Sequence, residues 1–270
     1  MSMLPDTFSL PTGMHRRDSR GAALLLSLPL AHAGEVVDSL GARELAVFAS
    51  LRHPVRRMEW AASRVLAKFA YLQGYRGAWV EPWHDVTWAE LRALVGSPDY
   101  RAIEVLRTEN GTGPPALFHG NAVLPCSLSL SHKWPCVSAA LGPPDNALGV
   151  DIELIAGFSN ALCEYYFGED KLNAQCFQNY SQHSRNTLLT IAWSIKESYV
   201  KLHPTGNIDM RDIKLTFEEL PDRILLPNRN CPIITKESIG VTLTWKQHTT
   251  RRTAHLIATR QMIGVLLVSA

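Results

Sequence analysis

Apolar positions in the first third of the chain recur at helical spacing. Leu45, Phe48, Leu51, Val55, Met58, Ala62, Val65, Leu66 and Phe69 follow the three-and-four rhythm of a helix that buries one face. Pro54 breaks this run or opens a second helix in its first turn, where its missing N–H costs nothing. Gly74 is the expected stop. Upstream, the apolar run from Ala22 to Ala31 has two readings. With basic residues before it and Ala31-His32-Ala33 after it, it has the parts of a secretory signal. As Ala22 to Leu30 it reads as a buried first strand. The run starts only after Asp6 and Asp18 and is short for a bilayer span, which favours the strand. No other stretch of the sequence is apolar enough to cross a membrane.

Further along, residues 80–86 read as a loop before a helix that starts near Thr87, because Thr87 and Glu90 are spaced as a capping box. Residues 110–121, NGTGPPALFHGN, are dense in Gly, Pro and Asn and read as a loop. CVSAAL and ALGVDIELI read as strands around the turn Gly142 to Asn146, and together as a hairpin. A helix is expected over 186–203, stopped by Pro204 and Gly206. Beyond it, Ile213/Leu215/Phe217, Val241/Leu243/Trp245, TAHLIATR and IGVLLVSA alternate as strands of an antiparallel sheet. Order and type predict an α+β fold in two halves, 1–143 and 144–270. Neither an internal repeat nor a low-complexity linker interrupts the chain.

Composition changes this picture little. A chain of 270 residues with 46% hydrophobic and 19% charged residues belongs to a globular protein with a substantial core. A net charge of +2 argues against a protein whose main task is to coat nucleic acid, and neither a nucleic-acid nor a membrane partner is expected, though local basic clusters suit a phosphate-bearing small molecule. The cysteines at 126, 136, 163, 176 and 231 are odd in number, scattered and without metal-ligand spacing. They read as reduced thiols of a cytoplasmic protein.

Two stretches carry chemistry. In GVDIE, residues 149–153, strand alternation sends Val150 and Ile152 to one face and Asp151 and Glu153 to the other. Two neighbouring carboxylates repel unless something positive sits between them. A hard divalent cation such as Mg²⁺ suits oxygen ligands of this kind, whereas a solvent-facing edge with two ordinary acids is the plain alternative. In WSIKESYVK, residues 193–201, helical geometry gathers Leu188, Ala192, Ile195, Tyr199 and Leu202 on a core face. Trp193, Lys196, Glu197, Val200 and Lys201 share the other face. If that face meets the Asp151/Glu153 strand, three carboxylates and two ammoniums converge, a set able to hold Mg²⁺ and neutralise a diphosphate.

The two stretches and their separation resemble the 4'-phosphopantetheinyl transferases, whose signature is G-(V/I)-D followed by (F/W)-(S/C/T)-x-K-E-(S/A)-x-x-K. The length resembles the monomeric surfactin-synthetase-type group, which implies two pseudo-symmetric α/β halves with the active site in the cleft between them. SLSLSHKW resembles the family's Ser-His element, which puts Ser131 and His132 beside the coenzyme A phosphates. In other contexts a histidine before a strand is a surface or capping residue. GPPAL resembles the loop that wraps the adenine, with Gly113, Pro114 and Pro115. Pro114 replaces the usual Lys or Arg there and removes one contact. The basic helix around RRMEWAASR resembles the element that holds the 3'-phosphate, through Arg52, Arg56 or Arg57.

The resemblance further implies Mg²⁺, with Mn²⁺ as the alternative ion, on Asp151, Glu153 and Glu197. Coenzyme A is the substrate, and the acceptor is the serine hydroxyl of an apo acyl or peptidyl carrier protein. Glu197, or a water it orients, takes the serine proton. Lys201 steadies the α-phosphate as 3',5'-ADP leaves, and Lys196 adds charge nearby. Two rivals stay open at this point: a Mg²⁺-dependent diphosphate hydrolase acting on coenzyme A-like substrates, and a non-catalytic coenzyme A-binding protein.

Overall fold

The computed structural model describes residues 22–27, 33–74, 82–93, 95, 97–108, 113–168, 181–203, 207–225 and 235–269. A four-stranded sheet has the order β2-β1-β7-β6, from β1 (Ala22–Ser27), β2 (Trp83–Val86), β6 (Ser127–Lys133) and β7 (Cys136–Gly142). The apolar first run is thus a strand over Ala22–Ser27, flanked on both sides. It pairs parallel with β2 and antiparallel with β7. A parallel neighbour needs a long crossover, which here contains α1 (Ala33–Val37), α2 (Ala42–Ser50) and α3 (Pro54–Gly74). Pro54 therefore opens the second helix, and Gly74 is its last residue. From Trp60 to Tyr71 α3 is buried on every side, so its basic residues there are not a solvated stripe. Lys68 reaches Glu44 at 2.5 Å, and Glu44 also accepts from the amides of Gly41 and Val105, each at 2.8 Å.

Two expected loops are strands. Residues 83–86 form β2, because their partner β1 lies far away in sequence. Pro115–His119 forms β4, paired with β3 (Ile103–Arg107) and β5 (Ala122–Val123) in a three-stranded sheet. Pro115 is the first residue of its strand, where a missing N–H is tolerated. The Thr87 capping box is present, although its helix α4 (Trp88–Arg92) is a single short turn; α5 (Pro98–Ala102) follows.

The five-stranded antiparallel sheet has the order β8-β12-β11-β10-β9. It comprises β8 (Leu148–Leu154), β9 (Ile213–Phe217), β10 (Thr235–Trp245), β11 (His248–Ala258) and β12 (Met262–Val268). Helix α6 (Asn160–Phe167) follows β8, α7 (Gln182–Leu202) packs on β8 and β12, and α8 (Asp222–Leu225) precedes β10. The predicted helix over 186–203 starts one turn earlier, at a Ser181 cap that accepts from the Ser184 amide at 3.1 Å. Its expected stop signals at 204–206 lie outside the described residues.

The expected β7–β8 hairpin does not form; the two strands belong to different sheets. β8 spends one edge on β12. On its other edge the Val150 and Ile152 amides donate to the hydroxyls of Ser129 (3.0 Å) and Ser131 (3.2 Å) on β6. Serine side chains replace a backbone ladder there. A core cluster spans this seam, joining Ala23, Trp83 and Ala140 to Val150, Ile152, Met262 and Leu266. Among the described residues, no helix is long and apolar enough to cross a membrane.

Candidate active site

The site begins with a close approach of β8 to α7. A Cβ at Gly149 would lie 1.8 Å from the Ser198 carbonyl oxygen, so only glycine lets the strand and helix backbones come this near. Leu188, Ala192, Ile195, Tyr199 and Leu202, each at most 2% exposed, form the buried face of α7 as expected. Val150 and Ile152 enter the seam cluster, which leaves Asp151 and Glu153 for the opposite face.

Asp151 is 4% exposed. Its Oδ1 accepts from Lys201 Nζ at 2.7 Å and from Ser131 Oγ at 2.8 Å, while Lys201 also donates to the Val150 carbonyl at 3.0 Å. Asp151 Oδ2 is buried with no hydrogen-bond partner. Glu153 pairs with Lys133 at 2.8 Å. Glu197 lies one turn before Lys201. Burial raises its pKa above the ordinary carboxylate value, Asp151 and Glu153 raise it further, and Lys201 opposes them. Negative charge in this corner is therefore under-compensated.

Among the described residues no three acids, histidines or cysteines are gathered closely enough to form a ready metal cage. The donor chemistry nevertheless fits a hard cation: all-oxygen ligands, a buried carboxylate oxygen lacking a partner, and an excess of negative charge. Lys201 lies where it partly offsets that charge.

The first residues of α3 reach the same region from the other sheet. Arg56 Nη1 lies 3.0 Å from His132 Nδ1 and also against Nε2, and Glu59 approaches Nδ1 at 3.4 Å. Burial first, then Arg56, Lys201 and Arg64, holds the His132 pKa down to about 4. Its imidazole is therefore neutral at neutral pH and accepts from the guanidinium. Of the three candidate arginines, Arg56 alone is brought to His132. Arg57 stacks over Phe48 at 4.4 Å, and Arg52 is exposed in the connection between α2 and α3.

Two further arginines escaped the sequence reading of the site. Arg64 is buried over Trp60 at 4.0 Å, its pKa lowered to about 9 by burial, with Arg107 and Arg56 adding to the shift. Arg107, at the end of β3, donates to the Gly113 carbonyl at 3.3 Å. The Pro114 carbonyl accepts from the Thr108 amide at 3.0 Å, closing the mouth of the β3–β4 turn. Arg64 closes the RRMEWAASR stretch without standing out within it, and nothing local marks Arg107; they come together because α3 packs on both β3 and β6.

Lys196 departs from the expected arrangement. It is 1% exposed, and its ammonium donates to the Tyr166 carbonyl at 2.6 Å beneath the Phe167 ring. The face that Lys196 and Lys201 share is broad. At about 100° per residue its flanks meet different neighbours, α6 on one side and β8 on the other.

Residues 147–256 match the family model of the 4'-phosphopantetheinyl transferase superfamily. That span contains β8, with Asp151 and Glu153, and α7, with Glu197 and Lys201. No curated protein matches the chain. Over the matched residues the chain is similar to that superfamily, and the likeness points to a transferase that moves a phosphopantetheine group.

Proposed function

We propose that this protein transfers the 4'-phosphopantetheine arm of coenzyme A to a serine of an apo acyl or peptidyl carrier protein and releases 3',5'-ADP. We further take it to act as a cytoplasmic monomer of the surfactin-synthetase-type group, its two halves 1–143 and 144–270 meeting at the site. The observation that carries the reading is the meeting of Asp151, Glu197 and Lys201 inside the matched span, with Ser131 and His132 adjoining from β6. Asp151, Glu153 and Glu197 would hold Mg²⁺ or Mn²⁺, and such an ion, when bound, supplies charge neutralisation to a diphosphate.

The chain's own groups do the rest. Glu197, or a water it orients, takes the acceptor serine's proton. The serine oxygen forms a bond to the β-phosphorus as the bond to the departing 3',5'-ADP breaks. The electron pair leaves with the α-phosphate oxygen. Lys201, 28% exposed at its side chain, steadies that oxygen. His132 and Arg56 take a phosphate of coenzyme A, Arg56 being the arginine of the basic helix that meets the 3'-phosphate. Gly113, Pro114 and Pro115 border the adenine.

The test is incubation with coenzyme A, Mg²⁺ and a panel of apo acyl and peptidyl carriers, read by intact mass. A carrier that gains the phosphopantetheine mass supports the reading. Consumption of coenzyme A without a modified carrier would mean a hydrolase. Binding without turnover of either would mean a coenzyme A-binding protein.

A further inference from the structure

Among the described residues, α6 meets α7 through a polar contact and a group of aromatic rings. Lys196 donates to the carbonyl of Tyr166 in the last turn of α6, where intrahelical partners have run out, and a cation there also complements the helix dipole. The Tyr166 ring stands edge-on to Trp193 at 4.8 Å, and Phe158 contacts both Phe167 (5.8 Å) and Trp193 (6.2 Å). A fully buried ammonium is costly and is retained only where hydrogen bonds hold it. On the outer side of α6, Leu162 and Tyr165 are 46% and 55% exposed, and the Tyr165 hydroxyl accepts from Arg211 at 2.6 Å. The residue next to Glu197 in the chain thus ties α6 to the helix that carries Glu197 and Lys201.

We propose that Lys196 is a positioning residue: it holds the C-terminal turn of α6 against α7, and so sets the surface that receives the acceptor protein, instead of contacting the diphosphate. The acceptor half of this inference rests on the transferase reading; the tether does not. Lysine acetylation of the wild-type chain, mapped by mass spectrometry with and without coenzyme A, tests the tether. Lys196 should stay unmodified in both states, whereas Lys201 should react in the free protein and be shielded by coenzyme A. Labelling of Lys196 in the free protein that coenzyme A suppresses would overturn the proposal. If coenzyme A shields neither lysine, the transferase reading suffers, yet a silent Lys196 still supports the tether.

The second arm uses Lys196→Met, with Lys201→Met as reference, and an apo acyl carrier protein that the wild type modifies. Lys196→Met should raise the KM for that carrier at least fivefold and move the calorimetric Kd for coenzyme A less than twofold. Lys201→Met should weaken coenzyme A at least tenfold. Lys196→Arg, which keeps a cationic donor, should recover part of the carrier KM. Equal loss of coenzyme A affinity in both Met variants, or an unchanged carrier KM in Lys196→Met, counts against the proposal. Should the Met variant fail to fold, the labelling result on the wild type decides.

Discussion

Asp151 concentrates the site's demands in one side chain: one oxygen satisfied by Lys201 and Ser131, the other buried without a partner. Asp151→Asn keeps the shape and removes the charge. On the proposed mechanism it should lower kcat by roughly a hundredfold or more, since a lost ligand to a charge-neutralising cation is worth about 3 kcal/mol. Circular dichroism should stay native. Full activity of this variant in EDTA-treated buffer would remove the metal role. His132 offers a separate handle. Its folded pKa of about 4 lies below its ordinary 6.5, so between those values the unfolded chain binds more protons. Stability should therefore be lost as pH falls through 6.5 toward 4. His132→Gln should flatten that slope in urea midpoints measured across the window; an unchanged slope would mean that another group titrates.

At the scale of elements, two contacts decide whether the site is assembled. The β8–α7 approach depends on Gly149, where a methyl group would meet a helix carbonyl that cannot swing aside as a side chain would. Gly149→Ala should cost about 1–3 kcal/mol, visible as a lower urea midpoint. Activity should drop further than stability, because Asp151 and Lys201 would be pushed apart. A wild-type midpoint would show that the backbones have room. Strand β1 is the second such element. Flanked by β2 and β7, it leaves two unpaired edges behind if removed. Deletion of residues through Ala33 should give insoluble chain; a soluble truncated protein with a cooperative melt would refute that.

Across the whole molecule, charge and apolar surface bear on the acceptor recognition proposed above. The segment between the two motifs is rich in large apolar residues, Leu162, Tyr165, Tyr166, Phe167, Leu172 and Phe177 among them, and the structure divides those it describes. Phe167 is 5% exposed and belongs to the core, so it is no probe of a surface. Leu162 and Tyr165 are exposed, Tyr166 is partly buried against Trp193, and positions 172 and 177 lie outside the described residues. Tyr165→Ala should raise the carrier KM about fivefold, the worth of about 1 kcal/mol at an interface, without changing coenzyme A affinity. With a net charge of only +2, added salt should weaken the carrier interaction moderately. Equal loss of both affinities would argue for packing instead.

The sequence by itself determined what repeats locally. Helical spacing located α2, α3 and α7; the capping box located α4; alternation located most of the five-stranded sheet. Motif spacing singled out Asp151, Glu153, Glu197 and Lys201. Each of these rests on a period of two or of 3.6 residues, or on a short pattern, that neighbours in the chain carry between them. Tertiary structure decided what depends on distant partners. β2 and β4 read as loops because their pairing strands are remote or their residues resemble turns. β8 left the expected hairpin because Ser129 and Ser131 take its free amides while β12 takes its other edge. Arg56, not Arg52 or Arg57, meets His132 because, of the three, it stands on the side of α3 that faces β6, one turn from Glu59. Lys196 and Lys201 separate because a helix face is wide enough to touch two elements at once, and which element lies on which flank is a property of the folded chain.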